Sequence, residues 1–213
     1  MANTVPEPYR VGFVLVPAYS MIAFSSALEP LRMANRLSDK RLYDWTLLSE
    51  TAAAIPASNG LLVTPDLALE QARDLHAAVV CGGVEIQRNA SRNLLGWLQR
   101  AAQRKLNIGA LCTGSYLLAR AGLLDGYRCT IHWENLASMR EQFPDVVVTT
   151  EVMEIDGDRF TCSGGNAPLD MMLNIIANSR TVYMPLHNMP VKTTVILHTT
   201  LQIDHGSHLP VSQ

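Results

Sequence analysis

Apolar positions along the chain follow two rhythms, one of strands and one of helices. Val11 to Val16 is an unbroken apolar run, as in a strand covered on both faces, and Pro17 ends it. Ser20 then stands where a helix cap belongs, ahead of Met21 to Leu37, in which Phe24, Leu28, Leu31 and Ala34 or Asn35 recur at helical spacing. Pro30 lacks an N–H and predicts a kink, or a broken first turn near Ser26. Tyr43 to Leu48 reads as a second strand with Trp45 and Leu47 on one face. Ser58-Asn59-Gly60, inside Ile55 to Val63, signals a hairpin or an extended arm.

Ala77 to Val80 is a buried strand that runs into Gly82-Gly83. Asn89 to Lys105 has an inward face of Leu94, Leu95, Leu98, Ala101 and Ala102, with Arg92, Arg100 and Arg104 outward. A short buried strand over 107–111 turns sharply at Cys112-Thr113-Gly114-Ser115 into a helix from Tyr116 to Ala121. Tyr127 to Ile131 reads as a strand, and Trp133 to Gln142 as a helix stopped by Phe143-Pro144. Val146 to Thr149, Val152 to Ile155 and Phe160 to Cys162 follow as strands, with a tight hairpin turn at Asp156-Gly157-Asp158. Ser163-Gly164-Gly165-Asn166 leads into a last helix, from Pro168 to about Ala177.

Strands that alternate with helices and have apolar interiors predict a doubly wound, mostly parallel α/β sheet. In such folds ligands lie beyond the carboxyl ends of the strands. The loops Pro17 to Ser20, Gly82-Gly83 and Cys112 to Ser115 are expected to gather there. Residues 178–213 lose the pattern. They are rich in Thr, Pro and His and contain no helix-turn-helix period, so a loose arm, a swapped strand over Val191 to Leu201 and an out-of-place translation product all stay open.

Composition narrows the picture. Of 213 residues, 48% are hydrophobic and 17% charged, which fits a packed domain and not a disordered chain. A net charge of −2 gives no global pull toward nucleic acid or anionic lipid. No apolar run is long enough for a membrane span, and the first ten residues lack a signal-peptide core, so a cytoplasmic protein is expected. Cys81, Cys112, Cys129 and Cys162 have no C-x-x-C spacing and read as free thiols in a reducing compartment. His187, His198, His205 and His208 fit no common ligand spacing, so no metal and no cofactor are expected.

Cys112 carries the candidate chemistry. A cysteine at a strand-to-helix corner is presented at a sheet edge, and the helix N-terminus behind it favours the thiolate. His132 is its candidate partner, and the N–H groups of Gly83 and Thr113 are candidate donors to a developing oxyanion. Trp133 and Tyr19 offer π faces to a cationic ligand. Glu29 and Arg32, three apart on one helix, read as a surface pair, and Asn166 and Asp170 as helix-start residues.

Gly109-Ala110-Leu111-Cys112-Thr113-Gly114 with His132-Trp133 resembles the DJ-1/PfpI superfamily, a flavodoxin-like relative of class I glutamine amidotransferases. More narrowly, residues 24–35, Cys112-Thr113-Gly114, Thr130-Ile131-His132-Trp133 and residues 162–170 resemble the ligand-sensing domain of GlxA-type regulators of the AraC family. The resemblance covers residues 10 to about 177. It implies a flavodoxin-like three-layer sandwich over residues 1–177 and a homodimer. It also implies a small effector, an amino acid or a quaternary amine, bound at the Cys112 cleft by Tyr19, Gly82, Gly83, Cys112, Thr113, His132 and Trp133. DNA would be reached only through a helix-turn-helix domain that this sequence does not show, so residues 178–213 read as a shortened or frameshifted end. Enzymes of the superfamily carry an acidic residue on the first helix beside the nucleophile. The same alignment puts Ala23 there, which favours binding over turnover. The alternative is a cysteine-dependent amidase, hydratase or hydrolase using Cys112 and His132, and a third reading is an oxidant sensor at Cys112.

Overall fold

A computed structural model describes residues 7–177. The strands are β1 (Tyr9–Leu15), β2 (Tyr43–Ser49), β3 (Ile55–Pro56), β4 (Leu62–Val63), β5 (Leu67–Ala68), β6 (Ala77–Cys81), β7 (Asn107–Leu111), β8 (Arg128–Cys129), β9 (Val147–Val148), β10 (Met153–Asp156) and β11 (Arg159–Cys162). The helices are α1 (Met21–Ser38), α2 (Arg92–Gln103), α3 (Ser115–Arg120), α4 (Leu136–Gln142) and α5 (Ala167–Ala177). Seven strands form one sheet in the order β10-β11-β7-β6-β1-β2-β5. All its pairings are parallel except that of β10 with β11, which the Asp156-Gly157-Asp158 turn joins as a hairpin.

The strand period sorts side chains into two cores, which makes three layers. Val11, Phe13 and Leu15 of β1 pack with Ala23, Phe24, Ala27 and Leu31 of α1 and with Met171 and Met172 of α5. Val14, Val80, Ile108 and Ala110 face the other way, onto Leu94, Trp97 and Leu98 of α2, Leu117 of α3 and Met139 of α4. Both faces of β1, β6 and β7 are therefore dry, which is why those strands read as nearly continuous apolar runs.

α1 is one continuous helix of 18 residues, capped by the Ser20 hydroxyl and passing through Pro30, so the expected broken turn is not formed. Proline removes one rung, at the Ser26 carbonyl. The buried stripe Ala23, Phe24, Ala27, Pro30, Leu31 and Ala34 still holds the axis against the sheet. Asn35 joins the end of α1 to β2. Its Oδ1 accepts from the Leu42 and Tyr43 N–H groups at 2.8 and 2.9 Å, and its Nδ2 donates to the Tyr43 carbonyl at 2.8 Å.

Three other elements differ from expectation. The strand expected over Tyr127 to Ile131 shrinks to β8, paired only with β9 in a small side sheet. It stops at Thr130 because side chains occupy that backbone: Thr130 N–H donates to Thr161 Oγ1 at 2.9 Å, and its carbonyl accepts from Ser115 Oγ at 2.7 Å. The helix expected from Asn89 starts at Arg92, where the Ser91 hydroxyl accepts from Leu94 N–H at 3.0 Å. Trp133 to Asn135 form a 3-10 turn ahead of α4. The tail alternatives, the strand over Val191 to Leu201 and the four carboxyl-terminal histidines lie outside the described residues.

From β1 the chain moves one way to β2 and then back across to β6, β7 and β11. The reversal lies between β1 and β6, so the switch point, where doubly wound folds bind ligands, lies beyond their carboxyl ends.

Candidate functional site

Four loops converge at that edge. The N–H of Gly82 donates to the Leu111 carbonyl at 3.2 Å, and the carbonyl of Gly82 accepts from Ser20 N–H at 2.9 Å. Val84 N–H donates to the Ala18 carbonyl at 3.0 Å, and Thr113 Oγ1 donates to the Gly83 carbonyl at 2.6 Å. This stitching leaves no room for side chains. A Cβ on Gly82 would lie 2.2 Å from Gly114 N, and one on Gly83 would lie 1.9 Å from Ala18 O. The two glycines serve as spacers that let three backbones meet.

Cys112 sits at the corner between β7 and α3 with φ +59°, a left-handed conformation that costs a residue with a Cβ on the order of 1–3 kcal/mol. The fourth loop, Ser163-Gly164-Gly165-Asn166, roofs it. Gly164 has φ +98°, and a Cβ there would come within 3.1 Å of Cys112 Sγ. In the sequence this loop stands out only as a motif. Its role as a cover comes from β11 lying beside β7, a pairing that the local sequence does not show.

The thiol does not have the character its helix position suggested. Cys112 is only 7% exposed. Burial pushes its pKa up from the ordinary value, the Thr113 N–H on the sulfur works the other way, and the Glu134 carboxylate adds to the rise. α3 is six residues long, and its dipole does not offset this desolvation. The Cys81, Cys129 and Cys162 thiols are raised by burial as well, Cys129 and Cys162 to about 12. Alkylation by iodoacetamide, followed by mass spectrometry, is therefore expected to be slow at Cys112 at pH 7. Its rate should still be climbing at pH 9, because the thiolate is the reacting form. A rate that levels off below pH 8 would show a thiolate-stabilised site instead.

His132 lies next to Cys112 through its backbone, whose N–H donates to the Cys112 carbonyl at 3.1 Å. Its ring turns to Glu134, with Nδ1 3.6 Å from Oε2, and among the described residues it makes no hydrogen bond to the sulfur. The ring and the thiol thus share Glu134 as a neighbour without a direct hydrogen bond between them. Trp133 is 69% exposed, with its ring 5.7 Å from that of His132. Tyr19 is sealed in the core, its ring edge-on to Phe24 at 5.8 Å, so it presents no open face to a cation. The Thr113 N–H lies near the Cys112 sulfur and works to lower its pKa.

Gly82, Gly83, Cys112, Thr113, His132 and Trp133 thus share one edge, with Tyr19 beneath them. Ala23 is buried, so α1 offers no carboxylate at the expected acidic position. The carboxylate that does act on Cys112 is Glu134, which the sequence pattern does not single out. Its one signal is its place two residues after His132. Glu29 and Arg32 form the expected surface pair, at 2.6–3.0 Å. Asp170 lies in the first turn of α5, where an acidic side chain favours the helix. A cavity of about 290 Å³ lies among Val16, Pro17, Glu50, Ile55 and Arg88. None of the seven expected ligand residues lines it. Among the described residues no group of three His, Cys, Asp or Glu side chains converges as metal ligands, and no helix is long and apolar enough to cross a membrane.

The sequence pattern of the DJ-1/PfpI family matches residues 14–178. The chain belongs to the DJ-1/PfpI family. Within it, the chain is 50% identical over 170 residues to the HTH-type transcriptional regulator GbdR of Pseudomonas aeruginosa, a match covering 80% of this chain and 46% of that protein. It is 37% identical over 172 residues to the HTH-type transcriptional regulator GlxA of Rhizobium meliloti, covering 79% and 52%. The chain therefore spans about half the length of the curated relatives it matches. A crystal structure of an AraC family transcriptional regulator from Pseudomonas putida superposes with a TM-score of 0.75 at 29% identity, over 91% of this chain and all of that one. The chain is thus similar, over about half of their length, to proteins named as transcriptional regulators.

Proposed function

We propose that this chain is the effector-sensing domain of a transcriptional regulator. It binds a small cationic nitrogenous metabolite, an amino acid or a quaternary amine, at the mouth beside Cys112, and it does not turn the metabolite over. The observation that carries this reading is the state of the thiol. Burial and Glu134 both push the Cys112 thiol up, and among the described residues no hydrogen bond joins the His132 ring, which lies 3.6 Å from Glu134, to its sulfur; this favours binding over turnover. The mouth offers an exposed indole, Trp133, one residue from an exposed carboxylate, Glu134. A π face beside a carboxylate suits a cation that carries little hydration of its own.

The relatives named above support the regulatory half of the reading. DNA would be read by a helix-turn-helix part outside the residues seen here. The chain would work in the cytoplasm as a homodimer, whose geometry the effector shifts by binding one arrangement better than the other. The test is a thermal-shift screen with amino acids, glycine betaine and carnitine. A true effector at a hundred times its Kd should stabilise the chain by about 2.7 kcal/mol. Trp133→Ala and Glu134→Gln should each weaken binding several-fold, whereas Cys112→Ala should still respond. The reading fails if no such compound stabilises the chain while an amide or aldehyde is turned over and Cys112→Ala abolishes that turnover.

A further inference from the structure

Leu69, Trp97 and Ala101 form the floor of another hollow, and Leu75 and Leu106 line it as well. Its volume is about 510 Å³, inside the range of about 300–1,000 Å³ usual for small-molecule sites. The three floor residues are buried, Leu69 completely. The hollow lies between the 3-10 turn Leu69–Gln71 and the second half of α2. Leu75 comes shortly before β6, and Leu106 directly before β7. The hollow is therefore at the amino-terminal edge of these two strands, opposite the edge that carries Cys112.

Five charged side chains line the same hollow: Glu70, Arg73, Asp74, Arg100 and Arg104. Both carboxylates already have partners. Glu70 pairs with Arg100, and Asp74 lies 3.7 Å from Arg10, which does not line the hollow. Arg73 and Arg104 remain, and among the described residues neither forms an ion pair. Arg73 Nη1 donates to the Glu70 and Ala72 carbonyls at 2.6 and 2.8 Å, which fixes the guanidinium. Among the described residues its Nε and Nη2 have no acceptor. Arg104 follows α2 directly, where the helix end favours a cation. That accounts for a charge at Arg104, but it does not use the free N–H donors of Arg73.

We propose that this hollow is a second ligand site, for an organic anion with a carboxylate or phosphate head and a compact apolar body. The head lies against Arg73 and Arg104, because a guanidinium fork donates paired N–H bonds to either oxyanion. The body covers Leu75, Leu106 and the floor around Trp97, and removing that apolar surface from water adds to affinity. The ligand at the Cys112 mouth was argued above to be a cation. This site lies at the other edge of the sheet and takes the opposite charge, so it does not rest on the effector reading.

The test is calorimetry on the 213-residue chain with small aromatic probes: benzoate, phenyl phosphate, neutral benzamide and cationic benzamidine. At least one of the two anions should bind, and its binding should weaken as salt rises. The tighter of the two identifies the head group. Benzamide and benzamidine should not bind at the same concentrations. Arg73→Gln plus Arg104→Gln should lower anion affinity at least tenfold while melting as the parent does, since both side chains are exposed. Arg88→Gln plus Arg120→Gln removes the same charge elsewhere and should change affinity less than twofold. The proposal is overturned if neither anion binds, if benzamide binds as well as benzoate, or if the two double variants lose affinity equally. Trp133→Ala and Glu134→Gln should leave anion binding as it is, so a failure here is separate from a failed thermal-shift screen.

Discussion

Gly83→Ala should destabilise the domain by at least about 3 kcal/mol, at or beyond the upper end of ordinary overpacking. The added Cβ would lie 1.9 Å from Ala18 O and 2.7 Å from Tyr19 Cα, and both are backbone atoms. A side chain in the way can change rotamer, but here the whole Pro17 to Ser20 loop must move. Moving it breaks the Val84 N–H bond to Ala18 and the Ser20 N–H bond to Gly82. The measurement is the urea midpoint at unchanged slope. Gly96→Ala is the control. Gly96 lies within α2, and its Cβ would meet only the flexible tip of Arg100 at 3.4 Å. That variant should gain about 0.5–1 kcal/mol, because alanine loses less backbone freedom in a helix. Equal losses at both positions would mean that the close approach at Gly83 is not what limits stability.

Phe13→Ala should cost about 3–5 kcal/mol, the range for removing a fully buried phenylalanine. Phe13 lies at the middle of β1, between β2 and β6, with no exposed surface. Its ring meets Phe24 of α1 edge-on at 5.5 Å, so truncation also removes an aromatic pair that joins sheet to helix. The void would adjoin Phe24, whose ring also meets Tyr19. The same urea titration reads the loss. A cost below about 1 kcal/mol would show that α1 collapses into the gap and that the core on this face is loosely packed.

Much of the fold is legible in the order of residues. β1, β6 and β7 are apolar on both sides because helices cover both faces, and a short run such as Ala77 to Val80 fits little except a strand buried in this way. The caps at Ser20 and Ser91 act through bonds within four residues, so their neighbours suffice to predict them, although Ser91 shortened the expected helix. The turn at Asp156-Gly157-Asp158 is local for the same reason. Pro30 does not break α1 because the penalty of one missing rung is local, whereas the packing that absorbs it comes from α5 and the sheet. Tyr127 to Ile131 misled because Thr130 hydrogen-bonds to Ser115 and Thr161, far away in the chain.

At the candidate site, the positions were legible and their chemical states were not. A strand followed by a cysteine turn and a helix places Cys112 at the sheet edge by chain geometry alone, and the paired glycines announce a close approach of backbones. These are short-range consequences of covalent structure, of strand and helix periods, and of where glycine can go. The upward push on the Cys112 thiol comes from its burial in the closed fold and from Glu134 standing near it. The sealing of Tyr19 depends on Phe24, and the His132 ring's neighbour is Glu134. Desolvation and Coulomb forces act through space between segments that only the closed fold brings together. The amino-acid order therefore settled which groups stand at the crevice, and the tertiary packing decided whether they can react, bind or only support.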